Sequence, residues 1–275
     1  MAISEKVQLL GKGTYSDIPD ELTLKSIPTA SEHDYVGAED FDEVMLTKIL
    51  PQCIEEKIDP KKLLEIDYQW ILRCLRFINY GPYVDVNVIF CDSCESTTRG
   101  DYIANLETVA CKPLPSNFKN SMIISRNEFL DFKEDIEIHL PTIQEIQNSR
   151  KDKQFQDAFG KTNRRFARIC YMIKSIGGKN MDPVSIRMKL QKDLSSADYI
   201  ILQDKVAELE DYGLRGGGSI PCPKCGNPDA AFVAFIDERF FRPSVGCLRK
   251  WRDDRSRRKD ENVSGAENSE VRKHS

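Results

Sequence analysis

Two short motifs carry the residues best suited to chemistry: Cys91-Asp-Ser-Cys94 and Cys222-Pro-Lys-Cys225-Gly226. Each CxxC turn presents two thiolates, and two such turns facing one another supply a tetrahedral zinc with four sulfurs at about 2.3 Å. Ordinary zinc ribbons separate their pairs by roughly 15 to 20 residues, whereas Cys94 and Cys222 stand 128 positions apart. A single zinc bound by Cys91, Cys94, Cys222 and Cys225 therefore requires a long helical insert. It also requires strands over 83–90 and about 230–237 to lie side by side, each adjoining its own knuckle. The competing reading leaves each CxxC as a reduced pair in a turn. Cys111 and Cys247 could substitute for a ligand, but neither belongs to a pair and both read as packed thiols. Cys53, Cys74 and Cys170 fall within helical patterns and read as core. Gly226 suits the left-handed conformation that such a turn needs, and Glu95 suits it less well.

A zinc ligated by four thiolates keeps no open coordination position, so the expected role of the metal is structural. The chain has three histidines, His33, His139 and His274, none with a nucleophile nearby in sequence, and it contains neither HExxH nor GxSxG. The glycines at Gly11 and Gly13 lack phosphate-loop spacing, and Gly216 to Gly218 read as a linker. Nothing here predicts an enzyme or a small-molecule substrate.

The elements that must position the knuckles follow from periodicity. "ELTLKSIPTASEHD" (Glu21 to Asp34) and "DIEIHLPTIQEIQN" (Asp135 to Asn148) both open with strand-like alternation and continue Pro-Thr-x-x-Glu. The latter pattern is a capping box, Thr29 with Glu32 and Thr142 with Glu145, so each copy predicts a strand turning into a helix. Tyr68, Ile71, Leu72, Leu75 and Ile78 then mark a helix with Asp67 as N-cap and Gly81 as its stop. "YVDVNVIF" alternates Val84, Val86, Val88 and Phe90 into Cys91 as a strand. In the second copy Phe155, Phe159, Phe166, Ile169 and Ile173 mark a helix ending at Gly177 and Gly178. Asp182-Pro183 opens another, and Tyr199, Leu202, Val206 and Leu209 mark a third, capped by Ser195 or Ser196 and stopped at Gly213. "GLRGGGS" follows as a flexible linker to the second knuckle.

The expected fold is α+β and mostly helical: two related strand-helix halves joined by a four-cysteine zinc ribbon with short antiparallel strands. The predicted divisions are an N-terminal arm over 1–20, a first half over 21–131 with the first knuckle, and a second helical half over 132–218. The second knuckle and ribbon strand occupy 219–246, and a charged, disordered tail occupies 247–275.

With 275 residues, 40% hydrophobic and 31% charged, the chain can bury a core without help from the metal. No apolar run approaches the ~20 residues of a membrane span. The first residues lack a secretory signal, which predicts folding in the cytosol with the nine cysteines mostly reduced. A net charge of −4 argues against a surface that grips nucleic acid throughout. The one basic cluster, Arg249 to Lys259 around Trp251, could touch phosphates, although Asp253 and Asp254 dilute it and a partner-docking role fits it better. In "DERFFRPS", Phe240, Phe241 and Arg242 could anchor in a partner's pocket. The two phenylalanines could equally cover the ribbon's own core.

In combination, "LTLKSIPTASEHD", "DYQWILRCLRFINYG", the strand into "CDSC", "IHLPT", and "CPKCG" followed by "FFRPS" resemble the baseplate hub assembly proteins of T-even-type contractile-tailed bacteriophages. The resemblance covers about residues 10 to 245 and rests mainly on Asp67, Leu72, Leu75, Arg76, Tyr80 and Gly81 with the two knuckles. The missing glycine after Cys94 and the long basic tail depart from it. It implies a component or assembly chaperone of the tail hub, working through other hub proteins in the host cytoplasm during assembly, with the virion tail baseplate as the alternative location. The alternative from another class is a zinc-ribbon regulator that binds nucleic acid.

Overall fold

The computed structural model describes residues 4–156, 163–234 and 236–257. It is a mixture of helices and small antiparallel sheets, less dominated by helix than the periodicity predicts. Strands β1 (Ser4–Gln8) and β2 (Glu21–Lys25) pair as a hairpin, with Val7, Leu22 and Leu24 buried beneath it. Val7, Leu9 and Ile18 of the predicted N-terminal arm are thus part of the core. A helical segment, α1 (41–53), and the long helix α2 (Glu65–Tyr80) complete this layer. Helix α2 buries Tyr68, Ile71, Leu72, Leu75 and Ile78, the stripe expected from sequence. It ends at Gly81, whose φ of 74° and N–H bond to the Phe77 carbonyl (3.1 Å) stop the helix as predicted.

Asp67 stands two positions inside α2 and is not its N-cap, which is Leu64. Its buried carboxylate instead accepts from the Leu10 N–H (2.5 Å), the Gly11 N–H (3.1 Å) and the Tyr15 hydroxyl, tying the β1–β2 connection to the helix. The first capping box does not form. Thr29 opens a 3-10 turn with Pro28 before it, and the Glu32 carboxylate is taken by the Tyr80 hydroxyl.

β3 (Tyr83–Cys91) and β4 (Ser96–Asn105) form the hairpin that carries the first knuckle. After β5 (Cys111–Lys112), the strands β6 (Met122–Ile124) and β7 (Ile136–Ile138) lead to α3 (Ile143–Lys151). Here the capping box is complete: Thr142 Oγ1 accepts from the Glu145 N–H (3.3 Å) and the Thr142 N–H donates to Glu145 Oε2 (2.7 Å). The helix predicted to reach Gly177 stops at Met172 (α4, Arg164–Met172), and β8 (Ile173–Ile176) continues as a strand. Gly177 and Gly178, both at positive φ (58° and 73°), make the two-residue turn to β9 (Lys179–Asn180). Strands β6 to β9 form an antiparallel meander. Phe159 of the predicted stripe lies outside the described residues.

Helices α5 (Pro183–Asp193) and α6 (Ser196–Glu210) follow, capped by Asp182 and Ser195. At the third position of α6, buried Asp198 accepts from the N–H groups of Leu130 (2.6 Å), Asp131 (3.1 Å) and Phe132 (3.0 Å). Asp67 and Asp198 thus do the same job: a first-turn carboxylate on a long helix gathers the backbone of a loop next to a hairpin.

The glycine-rich stretch is not a flexible linker. Gly213–Leu214 (β10) pairs with β5, and Gly217–Ile220 (β11) pairs with Ala230–Val233 (β12). A Cβ on Gly217 would stand 2.0 Å from the Phe232 carbonyl oxygen, so close strand approach and not mobility accounts for this glycine.

Two main cores result. One lies among β1–β2, α1, α2 and the inner face of β3–β4; the other lies among the meander, α4, α5 and α6. They interlock, because Ile143 and Ile146 of α3 join the first, and Leu64 and Ile66 at the start of α2 join the second. Residues 245–257 form a final helix, α7, on the chain's own surface, where sequence predicts a disordered tail. The rest of that tail, from 258 on, lies outside the described residues. No helix among the described residues is long and apolar enough to cross a membrane.

Candidate metal centre

The site is built on the four-stranded sheet β11-β12-β3-β4. β3 runs into the first knuckle and β4 leaves it; β11 runs toward the second and β12 leaves it. Because β12 pairs with β3 (Ala231 opposite Phe90, Phe232 opposite Ile89), both knuckles emerge at the same end of the sheet. The side-by-side strands expected from sequence are therefore present, and they bring together Cys94 and Cys222, 128 positions apart in the chain.

Simple alternation puts Val84, Val86, Val88 and Phe90 on one face of β3 and Ile89 and Cys91 on the other. The register against β4 shifts between Val86 and Val88, where two residues of β4, Gly100 and Asp101, stand opposite Asn87, so the extra residue of this bulge lies in β4. Beyond it Ile89 and Cys91 point inward, while Phe90 is exposed. Ile89, Cys91, Cys222 and Ala230 then form a small apolar cluster beneath the knuckles, joined by Tyr102 and Ile220.

Each knuckle closes on a left-handed residue. Gly226 has φ 75° and donates its N–H to the Cys222 carbonyl at 2.9 Å. Glu95 takes the equivalent position with φ 48° and donates to the Asp92 carbonyl at 3.3 Å. Glutamate thus adopts the geometry that glycine takes in the second turn, at a steric cost of about 1 kcal/mol.

Among the described residues, Cys91, Cys94, Cys222 and Cys225 form the cluster able to hold a metal ion, with all four sulfurs within 4.8 Å of one another. Cys91 Sγ lies 3.6 Å from Cys225 Sγ, and Cys94 Sγ lies 3.9 Å from Cys222 Sγ. A tetrahedron with metal–sulfur bonds of about 2.3 Å has edges of about 3.8 Å, so these separations fit one ion at the centre. They are too long for any pair to be a disulfide, and all nine cysteines are free.

The surroundings act unequally on the four thiols. Burial opposes ionisation of Cys91, but the Cys94 N–H, the Asn227 amide and neighbouring thiols outweigh it and hold the thiol down at about 6. The N–H groups of Cys225 and Lys224 lower Cys222 as well. At Cys225 the Asn227 N–H pulls downward, yet Cys94, Cys91 and Cys222 together push it up to about 12. Like charges crowd this space, and a central cation removes the conflict. Asn227 organises the surroundings twice, since its Nδ2 lies 3.7 Å from Cys91 Sγ and its carbonyl accepts from the Cys222 N–H at 2.7 Å. Nothing in the sequence pattern singles it out except its place two residues after Cys225.

The other thiols stand apart. Cys53, Cys170 and Cys247 are fully buried, and Cys74 and Cys111 are partly so; none belongs to the cluster. The residues expected to face a partner divide. Phe240 and Phe241 are 3% and 1% exposed, packed into the first core with Phe241 against Tyr35 (5.9 Å) and Phe41 (6.1 Å). They fill this chain's own interior, in the main core and not the ribbon's, and offer no exposed anchor. Arg242 is exposed. Trp251, half-buried on α7, closes over Gly81, where a Cβ would stand 2.4 Å from its ring. The Tyr83 hydroxyl donates to Asp254, and Lys250 Nζ sits 4.7 Å from the Tyr83 ring centroid, so α7 is docked along the end of α2 and the start of β3.

No family model, curated protein or solved structure matches this chain.

Proposed function

We propose that this chain is a structural or assembly protein of a contractile-tail baseplate hub, acting by protein–protein contacts, and that a structural zinc sits among Cys91, Cys94, Cys222 and Cys225. The observation that carries the reading is the convergence of two knuckles 128 positions apart on one tetrahedral set of sulfurs. Zinc is the metal that such a four-thiol set suits. With every coordination position filled by protein, the ion has no chemistry to offer a substrate, and its effect is to fix one segment of chain against another. The ribbon then holds the two halves, each organised by a first-turn aspartate, in one orientation for hub partners to recognise. The resemblance to T-even-type hub assembly proteins supplies the partner class and the setting, the host cytoplasm during tail assembly.

The exposed cations of α7, Arg249, Lys250, Arg252 and Arg255, keep a nucleic-acid-binding regulator as the rival. Affinity capture of the tagged chain during phage tail assembly separates the two. The hub reading predicts enrichment of baseplate components that survives nuclease treatment. Recovery of nucleic acid released by moderate salt, without tail proteins, would favour the rival.

A further inference from the structure

Against the first core opens a cavity of about 250 Å³. Its walls are largely apolar, including Leu106, Val109, Leu214, Ala234 and Phe240, and Arg73 of α2 lines it among them. Arg73 is 8% exposed. Its Nη2 donates to the Leu106 carbonyl (2.9 Å) and its Nη1 approaches the Val109 carbonyl (3.4 Å), so the guanidinium end lies beside two of the lining residues. Its Nε has no hydrogen-bond partner among the described residues.

The charges around this cavity are unequal. Asp42 is engaged by Arg150 (2.7 Å) and by the Tyr68 hydroxyl (2.8 Å), and Glu65 is engaged by Arg168 (2.5 Å). Arg73 forms no ion pair within 4.0 Å among the described residues; Glu107 and the thiols of Cys111 and Cys74 act on it only from further away. The guanidinium meets two carbonyls and the rings of Trp70 (5.3 Å) and Phe77 (5.1 Å) but no carboxylate, so it keeps its full charge in a medium that screens it poorly. At the rim stands Arg215, exposed and loosely paired with Asp211 at 3.6 Å.

We propose that this cavity binds a carboxylate carried on an apolar body, with the anion against Arg73 and the body against the apolar wall. A buried cation with no carboxylate partner matches a single negative charge, and planar guanidinium matches a carboxylate in geometry. The size and lining suit a compact aliphatic or aromatic group. Such a ligand could be a free organic acid or the C-terminal residue of a polypeptide, and the chemistry recognised is the same.

The test is calorimetric titration of the full chain with octanoate, with octanol, and with an acetylated tripeptide ending in leucine as its free acid and as its amide. Binding of at least one acid is expected, with its uncharged counterpart at least tenfold weaker and Arg73→Gln also at least tenfold weaker. Ala234→Leu, which narrows the cavity and leaves the guanidinium in place, should weaken binding too, and it decides the matter if Arg73→Gln does not fold. Binding of octanoate alone identifies a free acid as the ligand, and binding of the peptide acid alone identifies a chain terminus. Failure of both acids to bind at millimolar concentration, equal binding of the uncharged counterparts, or indifference to Ala234→Leu overturns the proposal.

Discussion

Cys91 and Cys225, 134 positions apart, bring their sulfurs to 3.6 Å. That approach depends on the pairing of β12 with β3, which brings the second knuckle to the same end of the sheet as the first. Cys222→Ser should therefore abolish metal binding, while Cys111→Ser and Cys247→Ser should leave metal content unchanged. Metal analysis of the three purified variants checks the assignment. Because a folded-state metal contributes its binding energy to stability, Cys222→Ser should also cost several kcal/mol, about 3 or more, in denaturant unfolding.

The strained first knuckle offers a gain. Glu95→Gly relieves a left-handed conformation that costs about 1 kcal/mol and adds roughly 0.5 kcal/mol of unfolded-state entropy, for a net stabilisation of about 0.5 kcal/mol. The variant should hold its metal about twofold more tightly against a competing chelator. Weaker retention would show that the Glu95 side chain serves the site in another way.

The two first-turn aspartates should respond to pH with opposite signs. Burial pushes the Asp67 carboxyl up, only partly offset by Tyr15 and the Gly11 and Leu10 N–H groups. At Asp198 burial acts in the same direction but is outweighed by the N–H groups of Leu130, Asp131 and Phe132 and by the Ser195 hydroxyl, so the carboxyl lies below its usual range. The contribution of Asp198 is complete above the unfolded value of about 3.9 and is lost as pH falls through its lower folded value. Asp67 does the reverse, losing stability as pH rises from about 3.9 through its higher folded value. Asp198→Asn should remove the acid-side loss and cost about 3 kcal/mol at neutral pH, because buried N–H groups lose a charged acceptor. Asp67→Asn should cost less, about 1 kcal/mol. Urea unfolding at a series of pH values reads both slopes.

Gly81 answers to two constraints at once, its positive φ and the Trp251 ring lying where a Cβ would be. Gly81→Ala should destabilise by more than about 3 kcal/mol. In the Trp251→Ala background the steric part disappears and the penalty should fall to the backbone part, about 1 to 2 kcal/mol. Equal penalties in both backgrounds would mean that α7 does not rest on the end of α2.

These contacts mark where sequence was informative and where it was not. The stripe of α2, its stop at Gly81, the Thr142 capping box and the four metal-capable cysteines follow from local rules of spacing and conformation, and all are present. Periodicity failed where tertiary pairing decided the outcome. Ile173 extends a helical stripe in sequence but joins β7 as a strand, and Gly217 reads as linker until the Phe232 carbonyl is seen against it. The register shift opposite Asn87 lies in β4, at Gly100 and Asp101, and nothing in the alternating run of β3 announces it. Phe240 and Phe241, charged neighbours and all, became core because Tyr35 and Phe41 were waiting for them. Arg73 and Arg76, buried within an apolar helix face, could not be told from surface arginines by type alone.

The most direct measurement is the zinc content of the purified chain together with alkylation of its thiols. The account predicts about one zinc per chain, with four cysteines protected from alkylation until a chelator removes the metal. Well under one zinc per chain, with the thiols of Cys91, Cys94, Cys222 and Cys225 freely alkylated from the start, would contradict it.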